Sequence, residues 1–183
     1  LLNYFSDQVA ILSMTALLLL LLELEYVRLE HRPKIVSLFN NIFRKNEKDN
    51  ISSAAFMVIS CIICFAAFEY WIAFVALFMT VFGDFFAALV GRAFGKTIII
   101  NKKTVAGTMA GLLANLVVGI LILPDFVLLV MAMAFVATFV ELITNKLEDN
   151  LTVPLFAGFV GQMIVYYNDS VLPPIDFTFL GLF

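Results

Sequence analysis

Apolar residues run through this chain in long, almost unbroken stretches that are separated by short polar connections. The 183 residues are 63% hydrophobic and 14% charged, and their mean hydropathy of +1.04 is far above that of a soluble globular domain. A helix needs about 20 apolar residues to cross the hydrocarbon core of a bilayer. The sequence therefore predicts an all-α integral membrane protein with about six transmembrane helices, folded as one membrane-embedded domain over residues 1–183.

The apolar stretches give the expected positions of these spans. They lie at residues 9–22, continuing as a helix through Glu30, and at 51–68, 71–82, 105–123, 126–144 and 151–166. Between the first two spans, residues 33–49 mix apolar and basic positions, which predicts an amphipathic helix lying in the membrane interface. Residues 145–150 form a polar connector, and the proline-containing tail from residue 168 is expected to be irregular.

The basic residues predict the orientation. All 11 Lys and Arg residues fall in three alternate connections, at residues 28–48, at residues 92–103 and at Lys146. The connections on the other side carry acids and no basic residue. Because cytoplasmic connections are enriched in Lys and Arg, we expect these three to face the cytoplasm and both termini to lie outside.

Ionisable side chains at membrane depth are costly, so they are candidates for function. Four acids lie near the inner ends of predicted spans: Glu23, Glu25, Asp84 and Glu141. For the two acids of the first span, an alternative is a helix end that emerges into water. The neutral amides Asn115 and Gln162 are more often satisfied by a neighbouring helix.

The segment from Gly83 to Thr108 combines Asp84 with basic residues, glycines and hydroxyls. A carboxylate can hold a divalent metal, and cations with bare backbone can hold phosphates, which together suit phosphoryl transfer. There are structural alternatives. Asp84 could pair with a nearby base, and the spacings Gly91-x3-Gly95 and Gly107-x3-Gly111 are typical of close helix packing. The segment has no Gly-x4-Gly before its lysines, so no P-loop is present.

Two motifs in this segment resemble a known family. They read Gly83-Asp84-x2-Ala87-Ala88-x2-Gly91-Arg92-x-Phe94-Gly95-Lys96 and Lys103-Thr104-x2-Gly107-Thr108. The pattern resembles the CTP-dependent lipid kinases, which include dolichol kinase, phytol kinase and the yeast-type diacylglycerol kinase and are relatives of phosphatidate cytidylyltransferases. Further segments look like the family's remaining motifs: Arg44-x2-Glu47, Glu141 and Asp149-Asn150-Leu151-x-Val153-Pro154. At Ala106 the family usually has Glu, for which Glu141 or Asp149 is the natural substitute.

The resemblance implies transfer of the γ-phosphate of CTP to the hydroxyl of a membrane lipid alcohol at the cytoplasmic face. Polyprenol or dolichol is the first expectation, with phytol, geranylgeraniol and diacylglycerol as alternatives. Mg²⁺ would be held by Asp84, shared with Asp149 and Asn150. The proton-accepting base would be Glu25 or Glu141. The expected nucleotide-binding residues are Arg44, Glu47, Gly91, Arg92, Gly95, Lys96, Lys103, Thr104, Gly107 and Thr108.

The expected partners are CTP, the lipid alcohol and the bilayer, with no nucleic acid, and a homo-oligomer is left open. The membrane would be the plasma membrane of a prokaryote or one of endoplasmic-reticulum type. Two other functions stay open. A cytidylyltransferase would attack the α-phosphate of CTP with a lipid phosphate and release pyrophosphate. A small transporter would line an ion path with its acids, although the acids cluster at one face and the halves show no clear repeat.

Overall fold

The computed structural model describes residues 7–31, 52–100, 103–144, 149–169 and 171–173, with side chains of the first helix described from residue 12 to 27. These residues form six helices and no strand, so the all-α prediction is confirmed for the part of the chain described. The helices are α1 (Asp7–His31), α2 (Ser53–Ala67), α3 (Tyr70–Phe94), α4 (Val105–Ile122), α5 (Val127–Ile143) and α6 (Asp149–Tyr167). The predicted interfacial helix, which contains Arg44 and Glu47, lies outside the described residues.

The third helix differs most from its predicted bounds. We expected the span to end at residue 82, but α3 continues to Phe94 and carries the whole segment from Gly83 to Arg92. No proline interrupts this segment, and its alanines and leucine favour helix. The helix ends where the N–H of Gly95 donates to the carbonyl of Gly91 over 3.0 Å. The motif residues of this segment are therefore held on a rigid helix and not in a loop.

The last helix also starts earlier than predicted. Asp149 and Asn150, expected in a polar connector, form the first turn of α6. A carboxylate in the first turn is favoured there by the helix dipole. Pro154 is accommodated inside the same helix.

The core is built around α3, which packs against α2, α4, α5 and α6, while α1 packs on α2. Its fully buried centre combines one face of α3 with faces of α5 and α6. The residues are Ile72, Val75, Ala76 and Met79 of α3, Val130, Met133, Ala134 and Ala137 of α5, and Val153, Ala157 and Val165 of α6. These apolar contacts fix α3 against α5, and thereby fix the side chains that both helices present at their ends.

The outer faces of the helices are also apolar. More than half of each of the following side chains is exposed: Leu12, Leu20, Leu89, Leu113, Leu121, Leu128, Phe135, Phe139, Phe156 and Phe159. Polar side chains such as Thr80, Asn115 and Thr138 are buried instead. A soluble monomer rarely exposes so much contiguous apolar surface.

Two of the described helices, α3 with 25 residues and α4 with 18, are long and apolar enough by length and composition to cross a membrane. This is fewer than the six predicted. Helices α2 and α5 are apolar but shorter: α2 ends just before Glu69, and α5 begins only after the turn at Pro124.

The bundle is closed by side chains at the end that carries Tyr70. The N–H of Glu69 donates to Gln162 Oε1 over 2.8 Å, and Gln162 Nε2 donates to Glu69 Oε1 over 3.2 Å. Trp71 Nε1 donates to the carbonyl of Pro173 over 2.7 Å, and Leu172 beside it is buried. The expectation that Gln162 is satisfied by a neighbouring helix is confirmed.

Candidate functional site

A pocket of about 140 Å³ opens at the end of the bundle where α3 stops and α4 begins. Its walls come from α3, from the start of α4 and from the end of α5. The lining residues are Asp84, Ala87, Ala88, Gly91, Arg92, Lys103, Thr104, Gly107, Thr108 and Glu141. Whole small-molecule sites measure roughly 300–1,000 Å³, so this volume suits phosphate groups and not an entire nucleotide.

Glycines bring α3 and α4 into backbone contact along one wall of the pocket. A Cβ added to Gly107 would lie 2.7 Å from the carbonyl oxygen of Ala87 and 3.2 Å from the Cα of Gly91. One added to Gly111 would lie 3.3 Å from the carbonyl oxygen of Gly83. The packing interpretation of these glycines is confirmed. Gly91 and Gly107 also line the pocket, where their bare backbone leaves space for a ligand.

The connection between α3 and α4 places Lys103 and Thr104 in the pocket. It folds back on itself through an isolated antiparallel bridge between Ile98 and Thr104. The N–H of Ile99 donates to the carbonyl of Lys103 over 2.8 Å. Thr104 is the N-cap of α4, and its Oγ1 accepts from the N–H of Gly107 over 3.2 Å. The first turn of α4 thus presents its positive end to the pocket.

Lys103 and Glu141 form an ion pair inside the pocket. Lys103 Nζ lies 3.6 Å from Glu141 Oε1, and these side chains are 13% and 11% exposed. The same ammonium group donates a hydrogen bond to the backbone carbonyl of Glu141. The connection between α3 and α4, described at residues 95–100 and 103–104 and called the hairpin below, is therefore tied to the end of α5. One predicted phosphate-binding cation lies beside one predicted catalytic acid.

Asp149, in the first turn of α6 before the predicted span at residues 151–166, is buried next to this cluster. The pKa of Asp149 is raised to about 6, first by burial and then by the nearby Asp84 carboxylate, while Lys103 and the Asn150 N–H oppose the shift. The N–H of Asn150 donates to Asp149 Oδ1 over 2.9 Å. Negative charge is thus concentrated where α3, α5 and α6 meet.

The structure brings together eight of the site residues predicted from the sequence: Asp84, Gly91, Arg92, Lys103, Thr104, Gly107, Thr108 and Glu141. Gly95 caps α3 against Thr104 just outside the pocket, and Lys96 is exposed in the hairpin. Asn150 turns its amide toward α2, where Nδ2 donates to the Ser53 carbonyl over 3.5 Å. Glu25 is buried in α1, a helix that packs on α2, and is not among the lining residues.

The acids of the site fit one mode of metal binding. In the described ranges, no three Asp, Glu, His or Cys side chains converge as a ready-made metal cage. Mg²⁺ often binds through only one or two carboxylates and completes its shell with substrate phosphates and water. Asp84 lines the pocket, and the buried Asp149 feels its charge, because Asp84 contributes to the raised pKa of Asp149.

Two features of the site were not among the site residues and contacts predicted from the sequence. Ala87 and Ala88 form part of the wall, and their spacing of three and four residues from Asp84 on one helix was a signal that they share its face. The Lys103–Glu141 pair had a weaker signal, which was that both residues fall at the predicted inner face.

Comparisons with protein-family models, curated proteins and solved structures gave no match for this chain. The residues of the pocket are therefore the basis for a functional proposal.

Proposed function

We propose that this protein is an integral membrane kinase that transfers the γ-phosphate of CTP to the hydroxyl of a lipid alcohol at the cytoplasmic face. The observation that carries the proposal is the composition of one pocket. It combines the acid Asp84, the cations Arg92 and Lys103, and the bare backbone of Gly91 and Gly107. Phosphoryl transfer needs chiefly positioning and neutralisation of phosphate charge, which these groups supply.

The placement of the pocket on α3 supports a membrane-resident acceptor. Asp84 and Arg92 are eight residues apart on one helix, which corresponds to about 12 Å along its axis. Arg92 lies near the end of α3, and Asp84 lies two turns deeper, beside exposed apolar side chains such as Phe85 and Leu89. A phosphate donor can enter from water at Arg92, while an alcohol whose tail stays in lipid can reach the level of Asp84.

The apolar exterior supports the same setting. Exposed leucines and phenylalanines cover the outer faces of α3, α4, α5 and α6, and the polar groups face one another inside. Six spans with both termini outside would place the pocket, with its cations, on the cytoplasmic side. By length and composition, α3 and α4 can each cross a membrane.

Each charged side chain of the pocket has a role in the proposed reaction. Arg92 and Lys103 bind the phosphates, and the start of α4 offers backbone N–H groups to them. Asp84, with Asp149, would hold Mg²⁺, which neutralises phosphate charge when bound. Glu141 is the acid in the wall, and we assign it the acceptance of the alcohol proton in place of Glu25. Phosphates attract Lys103 away from Glu141 and so free that carboxylate for the proton.

The proposal is tested by phosphate transfer in vesicles that contain the purified protein. CTP labelled at the γ-phosphate is supplied with Mg²⁺ and a panel of polyprenol, phytol, geranylgeraniol and diacylglycerol. We expect labelled lipid and released CDP with one class of alcohol. Asp84→Asn should lower the rate by about 10²-fold or more, since it removes electrostatic stabilisation at the reacting phosphate. Asp125→Asn, in the exposed turn between α4 and α5, is the matched control and should retain full activity.

The products separate the proposal from its rivals. Pyrophosphate in place of CDP, with a lipid phosphate as the acceptor, would show a cytidylyltransferase. No transfer to any alcohol by a folded protein that still binds CTP would overturn the kinase proposal. Ion flux through the vesicles that depends on Asp84, without CTP turnover, would indicate a transporter.

A further inference from the structure

The hairpin between α3 and α4, described at residues 95–100 and 103–104, exposes apolar side chains close in sequence to Lys103 and Thr104, which line the pocket. Ile98, Ile99 and Ile100 are 66%, 43% and 47% exposed, and Phe94 at the end of α3 is 73% exposed. These residues are not part of the proposed phosphate site. A soluble loop of this length would usually carry polar residues at such positions.

The hairpin is ordered by its own hydrogen bonds. The N–H of Val105 donates to the carbonyl of Thr97 over 3.0 Å, and the N–H of Lys103 donates to the carbonyl of Ile100 over 2.8 Å. The isoleucines are therefore held outward by a backbone framework and do not fold onto the bundle. The same framework fixes Lys103 and Thr104 in the pocket.

The length of α3 places this hairpin at a membrane surface. Trp71 and Tyr70 begin the helix, and aromatic side chains of this kind favour the membrane–water interface. A hydrocarbon core of about 30 Å spans about 20 residues of helix. Counted from Trp71, it ends near Arg92, so the hairpin follows at the level of the opposite headgroups.

The basic residues next to the hairpin indicate that the membrane surface it meets is anionic. Arg92 and Lys96 are exposed on either side of Phe94, immediately before the isoleucines. Apolar side chains flanked by basic residues bind the boundary between headgroups and acyl chains, and anionic lipids strengthen this binding. A neutral or cationic surface would offer these basic groups no partner.

We propose that residues 98–100 insert into the anionic cytoplasmic leaflet. The hairpin, bound to lipid in this way, holds Lys103 and Thr104 in position. The inference rests on the membrane placement given under the proposed function. It adds a surface contact to the backbone hydrogen bonds that hold Lys103 and Thr104 in the phosphate site. Loss of the contact would loosen the hairpin at the one element that carries Lys103 into the pocket.

The test places an environment-sensitive nitrobenzoxadiazole label at single cysteines in the full-length protein, after Cys61→Ala and Cys64→Ala. The labelled positions are Ile98→Cys, its exposed polar neighbour Thr97→Cys, Leu113→Cys on the outer face of α4, and Asp125→Cys in the turn at the other end. The vesicles are phosphatidylcholine alone or phosphatidylcholine mixed with phosphatidylglycerol, each with spin-labelled lipid as quencher.

We expect the label at Ile98 to be quenched and shifted to the blue, more strongly in the anionic vesicles. The labels at Thr97 and Asp125 should keep the emission of a label in water. Lys96→Gln should reduce the difference between the two lipid mixtures at Ile98. As a second measurement, replacing all three isoleucines with serine should weaken CTP-dependent thermal stabilisation, while the quenching at Leu113 stays unchanged.

The control at Leu113 distinguishes a wrong hairpin inference from a wrong membrane placement. If Leu113 is quenched and Ile98 behaves like Thr97, the hairpin inference is overturned and the membrane placement stands. If neither is quenched, both the membrane placement and the inference are wrong. A label at Ile98 that shifts to the blue without quenching by lipid would show a protein contact, such as a second copy of the chain, and would also overturn the inference.

Discussion

Gly83 and Asn115 show how little space separates α3 from α4. A Cβ added to Gly83 would lie 2.5 Å from Asn115 Oδ1. The Asn115 amide is 1% exposed, and its Nδ2 donates to Thr138 Oγ1 over 3.1 Å. Its Oδ1 has no hydrogen-bond partner in the described part of the chain. Glycine at position 83 therefore makes room for a polar tie between α4 and α5.

This arrangement predicts a specific non-additivity. Gly83→Ala should lower the free energy of unfolding by about 1–3 kcal/mol, because it overpacks the contact between α3 and α4. Asn115→Ala should also destabilise the protein, because it leaves Thr138 unpaired. The double variant should be no less stable than Asn115→Ala alone, since the obstructing amide is gone. Thermal unfolding of the four proteins in one detergent measures this, and simple additivity would contradict it.

The sequence predicted the surroundings of single residues where the chemistry of the side chain alone determines them. The cost of placing charge at membrane depth singled out Glu23, Glu25, Asp84 and Glu141, of which Asp84 and Glu141 line the pocket and the two acids of α1 do not. The same reasoning gave partners to the buried amide of Asn115 and to the half-buried amide of Gln162. The pairing of Lys103 with Glu141 was not predictable, because it depends on where the hairpin folds relative to α5.

At the scale of elements, the hairpin is anchored at three places. Its backbone is bridged from Ile98 to Thr104, Thr104 caps α4, and Lys103 reaches the end of α5. The last of these ties is ionic and largely buried. Removing one member of such a pair leaves an uncompensated charge behind.

Lys103→Met and Glu141→Gln should therefore differ in stability. We expect Lys103→Met to cost about 3 kcal/mol, because the mostly buried Glu141 carboxylate loses the positive charge that lies beside it. Glu141→Gln should cost less, because Lys103 keeps the backbone carbonyl of residue 141 as an acceptor. Chemical unfolding in mild detergent measures both, with the exposed Lys96→Met as the control. Equal losses in the two variants would show that the charge of Glu141 does not matter.

The ends of the helices were harder to predict than their existence. Hydropathy predicted the end of α3 at residue 82, since the segment that follows mixes charged residues and glycines with apolar ones. The helix continues because its glycines face α4 and its charged residues face the pocket, so none of them interrupts the backbone. These favourable surroundings are provided by neighbouring helices, and a local sequence pattern carries no information about them.

At the scale of the whole molecule, charge is distributed unevenly between the two ends. The end with the pocket carries three acids, Asp84, Glu141 and Asp149, and the first two raise the pKa of the third. The other end is closed by neutral contacts around Trp71 and by the pair of Glu69 with Gln162. The pocket end is therefore the part of the bundle whose stability responds to pH and to cations.

The raised pKa of Asp149 determines whether the folded protein gains or loses stability as the pH rises. Its pKa rises from 3.8 to about 6 in the folded protein, so the folded state favours the neutral acid. The stabilising effect of the neutral form is complete below the unfolded value and is lost as the pH rises through about 6. Asp149→Asn should thus raise the melting temperature at about pH 7.5 and change it little at about pH 4.

Mg²⁺ supplies the control for this prediction. In the wild type, Mg²⁺ should raise the melting temperature more at about pH 7.5 than at about pH 5, because it binds the ionised carboxylates. Asp149→Asn should lose most of that gain. An Asp149→Asn protein that is less stable than the wild type at about pH 7.5 would contradict the assignment of buried negative charge to this position.

Because one continuous α3 carries both Trp71 and Arg92, the distance from the aromatic interface to the phosphate site is fixed by a rigid rod. In the proposed setting, the activity of the protein would therefore depend on the thickness of the bilayer. Lipids with longer acyl chains would draw Arg92 below the headgroups, and shorter ones would lift Asp84 away from the alcohol. Phosphate transfer, assayed across vesicles of phosphatidylcholines with increasing chain length, should pass through a maximum, whereas a rate independent of chain length would show that α3 tilts freely.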